Sequence, residues 1–325
     1  VRRYRTLRRR AWVWQMLHFG LRNYWRTRSR RYEPFIFLGG GPLSPGIFWA
    51  IATRGRDYDL IHLNCLVYSH VAYGYRLARR MGVPVVSTPQ AHAGQEVTYN
   101  DGYQRDARFG CDHVIADTTA ERDLLLNLGL ASWQVSVGVT GLHPEKYRGG
   151  SGREARRRLG LPENSFVVLF LGRKSDYKGL DVALGAVSGL QSQYRDVQFL
   201  AVGPETEYSE DLWTRYQGMA GLHVMGAVPD DEKLAALKAS DCLVLPSIGE
   251  AFGIVFLEAW IMGKPVIGAR TPAVSAVIDE GRDGLLAAPG DAADLAACLS
   301  QLIIDPALTR RMGANGREKV LRHYT

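Results

Sequence analysis

The chain has 325 residues, of which 46% are apolar and 22% charged, ordinary proportions for a folded protein of about two domains. No apolar run is long enough for a spanning helix. The formal net charge is +7, yet residues 1–31 hold eleven arginines and no acid, and taking eleven from +7 leaves the remainder at −4; this argues against a nucleic-acid-binding body and confines the basic character to one segment. The four cysteines, Cys65, Cys111, Cys242 and Cys298, are widely separated and match no metal spacing, so reduced, mostly buried thiols are expected, as in a cytoplasmic protein.

In chain order, the basic segment interleaves its arginines with Trp12, Trp14, Leu17, Phe19, Tyr24 and Trp25. That mixture suits peripheral contact with an anionic membrane surface, at the inner face of the membrane. The alternative is a helix of the N-terminal domain with its aromatics buried and its arginines solvated. Residues 34–46, PFIFLGGGPLSPG, read as a strand and a turn. Gly39-Gly40-Gly41 lacks the dinucleotide spacing and reads as a strand-end turn. Strands are predicted around Asp59–Leu63, VPVVSTP, HVIADT and QVSVGV, with helices at VAYGYRLARRMG and AERDLLLNLGL between them. The alternation argues parallel βαβ units.

Residues 143–165 break that pattern with close glycines, an arginine-rich helix and a Pro-Glu-Asn turn, as expected of an interdomain linker. The domains are accordingly placed at 1–148 and 149–325. The second half repeats the βα pattern: FVVLFLG, VQFLAVG, LHVMGAV, CLVLPS, PVIGAR and GLLAAPG are strand-like, and stretches such as DDEKLAALKAS have helical period.

The most specific stretch is LPSIGEAFGIVFLEAWIMGKPVIGAR, residues 245–270. It reads as strand, loop, helix, turn, strand. Glu250 lies in the loop and Glu258 on the helix, with Gly253 where that helix begins. Open α/β sheets bind ligands at the carboxyl ends of their strands. Carboxylates accept from hydroxyl pairs, and the amides of Ala251, Phe252 and Gly253 at a helix start donate to oxygens. A site offering both suits a nucleotide-sugar. The bland reading is a cap and a solvent-facing glutamate.

The spacing Glu250-x7-Glu258, with Phe252-Gly253 between and Gly263-Lys264-Pro265-Val266 after, resembles the family 4 retaining glycosyltransferases. LFLGRKSDYKGLDVALGA, residues 169–186, is similar to that family's strand-Gly-Arg-loop-Lys-Gly-helix element, with Gly172, Arg173, Lys178 and Gly179 in place. Gly203-Pro204 matches the turn after the next strand. The similarity runs from about residue 57 to the end. It implies a GT-B fold, two doubly wound Rossmann-like domains facing a cleft, the N-terminal one on the acceptor side. It also implies transfer of a sugar from a nucleotide-sugar donor to a hydroxyl acceptor (a glycan, glycolipid or small molecule) with retention. By the same resemblance Glu250 bonds the transferred sugar, Glu258 holds the ribose diol, and Gly172, Gly203, Ala251, Phe252 and Gly253 border the donor. Arg173 and Lys178 stabilise the leaving phosphate; as fixed cations they do the electrostatic work of a metal ion, and no metal or other cofactor is expected. His92 falls where the family has a histidine approaching the donor sugar, though a lone histidine at a strand end is as often a satisfied polar residue. Asp117 and Thr118 are candidates for the acceptor side.

The chain departs from the family pattern at Thr140-Gly141, at Ala276 and at Thr271-Pro272-Ala273, which bear on the identity of the sugar more than on the reaction. The family's first strand and glycine loop are not recognisable, and a fragment trimmed at both ends is expected. Two other readings stand beside transfer: a non-catalytic nucleotide-sugar-binding protein, and another GT-B enzyme such as a phosphorylase or sugar epimerase.

Overall fold

In the computed structural model, residues 2–6, 11–41, 43–66, 68–91, 102–138 and 140–325 are described. The chain divides into two units, Val1–Gly138 and Val139–Thr325.

The first unit is built on four parallel strands, β1 (Ile61–Asn64), β2 (Val85–Thr88), β3 (His113–Ala116) and β4 (Val135–Val137), lying side by side in chain order. Helices connect them. Before β1 come α1 (Ala11–Thr27), α2 (Glu33–Gly40) and α3 (Pro45–Arg54); α4 (Ser69–Met81), α5 (Gly102–Gly110) and α6 (Thr119–Asn127) follow β1, β2 and β3 in turn. Val71, Val85, Val114 and Leu125 are fully buried between sheet and helices. Helix α4 stops at Gly82, whose φ of 70° is left-handed and whose amide returns to Ala78 and Arg79, the usual glycine termination. Glu121, on α6, is buried and accepts from the amides of Ala91 (2.5 Å) and Asp117 (2.7 Å). One carboxylate thus ties the chain just beyond β2 to the end of β3. Burial pushes its pKa up to about 7, with the two amides pulling the other way.

The strand and turn expected over residues 34–46 are not found: Pro34 to Gly40 lie in α2, and Pro45 and Gly46 open α3. A short apolar run such as PFIFLGG fits a buried helix as well as a strand, and packing decides. Pro34 sits in the first turn of α2, where its missing N–H costs nothing. Glycines let α1 and α2 approach: a Cβ on Gly20 would lie 2.7 Å from the Ile36 nitrogen, and one on Gly39 would lie 2.6 Å from the Leu17 backbone.

The second unit holds a six-stranded parallel sheet. Its strands are β5 (Phe166–Leu171), β6 (Val197–Val202), β7 (Leu222–Met225), β8 (Cys242–Leu245), β9 (Val266–Ala269) and β10 (Gly284–Ala287). Helix α7 (Gly152–Arg158) precedes them; α8 (Leu180–Leu190), α9 (Glu207–Arg215), α10 (Asp230–Ala239), α11 (Ile254–Ile261), α12 (Pro272–Ser275) and α13 (Ala292–Ile304) follow successive strands, and α14 (Pro306–His323) follows α13. Val167 to Phe170 and Cys242 to Val244 have no exposure, as unbroken apolar strands covered on both faces require. The strand order is β10-β9-β8-β5-β6-β7. The chain winds one way from β5 to β7, then returns to place β8 on the other side of β5. The switch point therefore lies between β5 and β8, and the crevice beyond their carboxyl ends is where such sheets take ligands.

The stretch expected as a linker, residues 143–165, and Leu142 just before it pack on this second unit. Leu142 is buried and its amide donates to the Tyr324 carbonyl at 2.7 Å. Arg156 on α7 bonds Asp241 at 2.6 Å and the Ala239 carbonyl at 2.9 Å. The units accordingly divide at Gly138, ahead of the 148/149 boundary read from composition.

All four cysteines are free; Cys111, Cys242 and Cys298 are buried. No single helix among the described residues is long and apolar enough to cross a membrane.

Candidate active site

Two loops form the switch point of the second unit. The first leaves β5 at Gly172 and reaches α8 through Gly179; the second leaves β8 at Pro246 and reaches α11 through Gly253. Glycine is required where they touch. A Cβ on Gly203, at the end of β6, would collide with the Gly172 carbonyl, and one on Gly179 with the Pro246 carbonyl. Gly179 and Gly253 also take left-handed φ values of 72° and 81° as they open their helices, a conformation costly for other residues. A Cβ on Gly253 would lie 2.5 Å from the Phe256 ring. The loops are stitched together by the Tyr177 carbonyl, which accepts from the Ile248 amide (3.0 Å) and the Ser247 hydroxyl (3.1 Å).

Across this seam Lys178 donates to Glu250 Oε2 at 2.6 Å, with both side chains largely buried at 17% and 12% exposure. A pair this shielded is held more firmly than a surface ion pair. Arg173, at the head of the first loop, is exposed and has no ion-pair partner among the described residues. Nor is there a protein acceptor among them for the amides of Ala251, Phe252 and Gly253, which lead into the positive end of the α11 dipole. The Phe252 ring turns inward against Tyr324, centroids 5.8 Å apart, which fixes the backbone carrying those amides. An exposed guanidinium on one loop, open amides on the other and a Lys178–Glu250 pair between them are groups able to bind a phosphate.

Glu258 lies one turn into α11 and is 6% exposed. Its Oε1 accepts from the Tyr147 hydroxyl at 2.9 Å and from Lys233 at 2.8 Å. Burial works against the charge on Lys233, but the bond to Glu258 and the charges of Glu258 and Asp230 together outweigh it and the pKa rises. Burial and the Glu258 charge both raise Tyr147. The carboxylate is therefore oriented by two donors on one oxygen, and Oε2 has no protein partner among the described residues. Neither Tyr147 nor Lys233 was anticipated from the sequence. Tyr147 reaches Glu258 over 111 positions of chain, and no local pattern announces such a contact.

Lys174, also unanticipated, is fully buried beside the predicted cations. It pairs with Glu205, donates to the Met225 carbonyl at 2.8 Å and lies 5.3 Å from the centre of the Trp213 ring. Burial lowers its pKa, while Glu205 opposes the shift. Its bonds all go to protein groups, so it braces the β5 loop against the β6 turn, where Ser209 (2.8 Å) and the Trp213 indole (2.9 Å) hold Glu205 from the far side.

Of the residues singled out in the sequence, Gly172, Arg173, Lys178, Gly203, Glu250, Ala251, Phe252, Gly253 and Glu258 all belong to the second unit. The loops above bring Lys178 and Glu250 into contact. His92 lies outside the described residues. Asp117 and Thr118 belong to the first unit: Thr118 caps α6 by accepting from the Glu121 amide at 3.0 Å, and burial raises the pKa of Asp117.

The glycosyl transferases group 1 family model matches residues 151–319, which include both loops and Glu258. The D-inositol 3-phosphate glycosyltransferase of Streptomyces avermitilis is 31% identical over 290 residues, covering 82% of this chain and 62% of that protein. Its counterpart in Thermobifida fusca is 30% identical, covering 85% of this chain and 68% of its own length. The chain thus spans somewhat under two thirds of the Streptomyces relative. Among solved structures, Anabaena HepE in complex with UDP-glucose superposes with a TM-score of 0.76 over 98% of this chain and 94% of HepE, at 20% identity. The sucrose-phosphate synthase of Thermosynechococcus elongatus gives 0.74 over 91% and 75%, at 22% identity. These two establish the fold, a pair of parallel α/β domains of GT-B type. The chain belongs to the glycosyl transferases group 1 family.

Proposed function

We propose that the protein transfers a sugar from a nucleotide-sugar to a hydroxyl acceptor, with retention at the anomeric carbon and without a metal ion. The observation that carries this reading is the seam at the switch point. Lys178 and Glu250 are paired there between the loops that carry Arg173 and the open amides of 251–253, and Glu258 is held by Tyr147 and Lys233 one turn into α11.

The chemistry follows from these groups. Glu258 accepts from the ribose diol, which fixes the nucleotide end. The amides and the two cations hold the diphosphate, and their attraction grows as negative charge collects on the leaving oxygen. Glu250, steadied by Lys178, accepts from hydroxyls of the sugar and sets its orientation. With the phosphate and the acceptor on the same face of the sugar, the departing oxygen takes the acceptor's proton and configuration is kept. Lys178 and Arg173 supply the positive charge that a divalent ion otherwise provides.

HepE is seen with UDP-glucose and the sequence relatives are named for D-inositol 3-phosphate, so UDP-sugars with a phosphorylated inositol are the first substrates to try. Nucleoside diphosphate released only in the presence of acceptor, and undiminished by EDTA, is the expected result. Release that needs no acceptor supports hydrolysis instead, and an absolute requirement for added divalent metal defeats the metal-free reading.

A second reading concerns the N-terminal segment. On α1, Trp12 (55% exposed), Trp14 (47%) and Phe19 (49%) stand in solvent beside the exposed Arg22 and Arg26. Large exposed aromatics among arginines fit a helix lying on an anionic membrane.

A further inference from the structure

A cavity of about 610 Å³ opens in the second unit at the C-terminal end of α11, the opposite end from the amides assigned to the donor. Its size is that of a small-molecule site. It is walled by the stretch from Pro144 to Gly152, the ends of α10 and α11, and α14. The charged side chains that line it are Arg148, Lys238, Lys264 and Arg317, with no aspartate or glutamate among the lining.

Lys264 is accounted for by the fold. Its ammonium donates to the carbonyls of Lys238 (3.2 Å) and Ser240 (2.5 Å), closing the negative end of α10. Arg148, Lys238 and Arg317 are not: none has a side-chain ion pair or hydrogen bond among the described residues. The glycines beside them make room for this arrangement. A Cβ on Gly150 would lie 3.0 Å from the Lys238 ammonium, and one on Gly152 would lie 2.9 Å from the Lys238 carbonyl. Gly149 and Gly150 both take left-handed φ, 76° and 69°, and their amides have no protein acceptor among the described residues. Three unneutralised cations and two open amides around one concave surface repel one another until an anion enters.

We propose that this cavity is a second anion site, which binds a phosphate-bearing ligand other than the sugar donor. The class is a compact group with at least two negative charges, such as a phosphomonoester or diphosphate, free or carried on a lipid headgroup. The site is linked to the donor side, because Tyr147 lines the cavity and donates its hydroxyl to Glu258.

Inorganic pyrophosphate, titrated calorimetrically into the full chain, tests the proposal. Two binding events are expected. The double variant Lys238→Ala/Arg317→Ala weakens one of them by about tenfold or more, whereas Arg173→Ala/Lys178→Ala weakens only the other. Lys238→Arg/Arg317→Lys, which keeps the charge, retains both. Thermal melting of each variant confirms that it is folded. Vesicles containing phosphatidylglycerol separate the two sources: reduced vesicle binding by the alanine variant assigns the site to a lipid headgroup, and unchanged vesicle binding with reduced pyrophosphate binding assigns it to a soluble ligand. A single pyrophosphate event that survives Lys238→Ala/Arg317→Ala overturns the proposal, and if Arg173→Ala/Lys178→Ala leaves both events intact, the donor reading fails while this one stands.

Discussion

Glu258 shows how a buried carboxylate is oriented for a task. Two donors, Tyr147 and Lys233, share its Oε1, and Oε2 is left for a ligand. If that ligand is a ribose diol, Glu258→Ala weakens binding of a ribonucleoside diphosphate by about 1.5–3 kcal/mol, the usual worth of a hydrogen bond to a charged group. It weakens the 2′-deoxy counterpart by less, so the preference for ribose shrinks. Equal losses for the two nucleotides, measured by calorimetry, place Glu258 outside the ribose contact. At this scale the sequence was partly legible. Glu250, Glu258, Arg173 and Lys178 stand at spacings that survive in one dimension because loop and helix are contiguous. Tyr147, Lys233 and Lys174 were not, since each acquires its meaning from a partner on another element.

Among the elements, the strands β5 to β10 were readable because a parallel strand covered on both faces must be a short apolar run bounded by turns. Helix α2 was misread for the same reason: PFIFLGG is also such a run, and only the close contacts at Gly20 and Gly39 with α1 make it helical. The tie that Glu121 makes beyond β2 and β3 has a consequence for pH. Its folded pKa, about 7, lies above the ordinary 4.5, so the folded state holds the proton more tightly than the unfolded one. The resulting stability, on the order of 3 kcal/mol, is full below pH 4.5 and lost as the pH rises through about 7. Denaturant titrations across that window are expected to show the native chain losing stability more steeply with pH than Glu121→Gln. Parallel slopes contradict the assignment. Helix α1 carries its own prediction. The chain binds vesicles containing anionic lipid at low salt and leaves them as salt rises, each basic residue at the surface contributing about 1 kcal/mol. Trp12→Ala with Trp14→Ala weakens that binding, and a chain that ignores such vesicles at low salt refutes the membrane reading.

For the whole molecule, the resemblance read from three motif blocks and the family to which the chain belongs agree. The limits of the sequence lie at the junction of the units, where residues up to 148 are read as part of the first domain but Leu142 is drawn into the core of the second unit. Every residue assigned to the donor belongs to that unit, so donor binding can be tested without knowing the acceptor. The central claim is that Arg173 and Lys178 form the phosphate clamp of a nucleotide-sugar enzyme. Calorimetric titration of the intact chain and of Arg173→Ala/Lys178→Ala with UDP, followed by the other common nucleoside diphosphates, tests it most directly. At least one of them is expected to bind the native chain and to bind the double variant about tenfold or more weakly; equal affinity for both proteins, or no binding of any nucleotide to the native chain, contradicts the account.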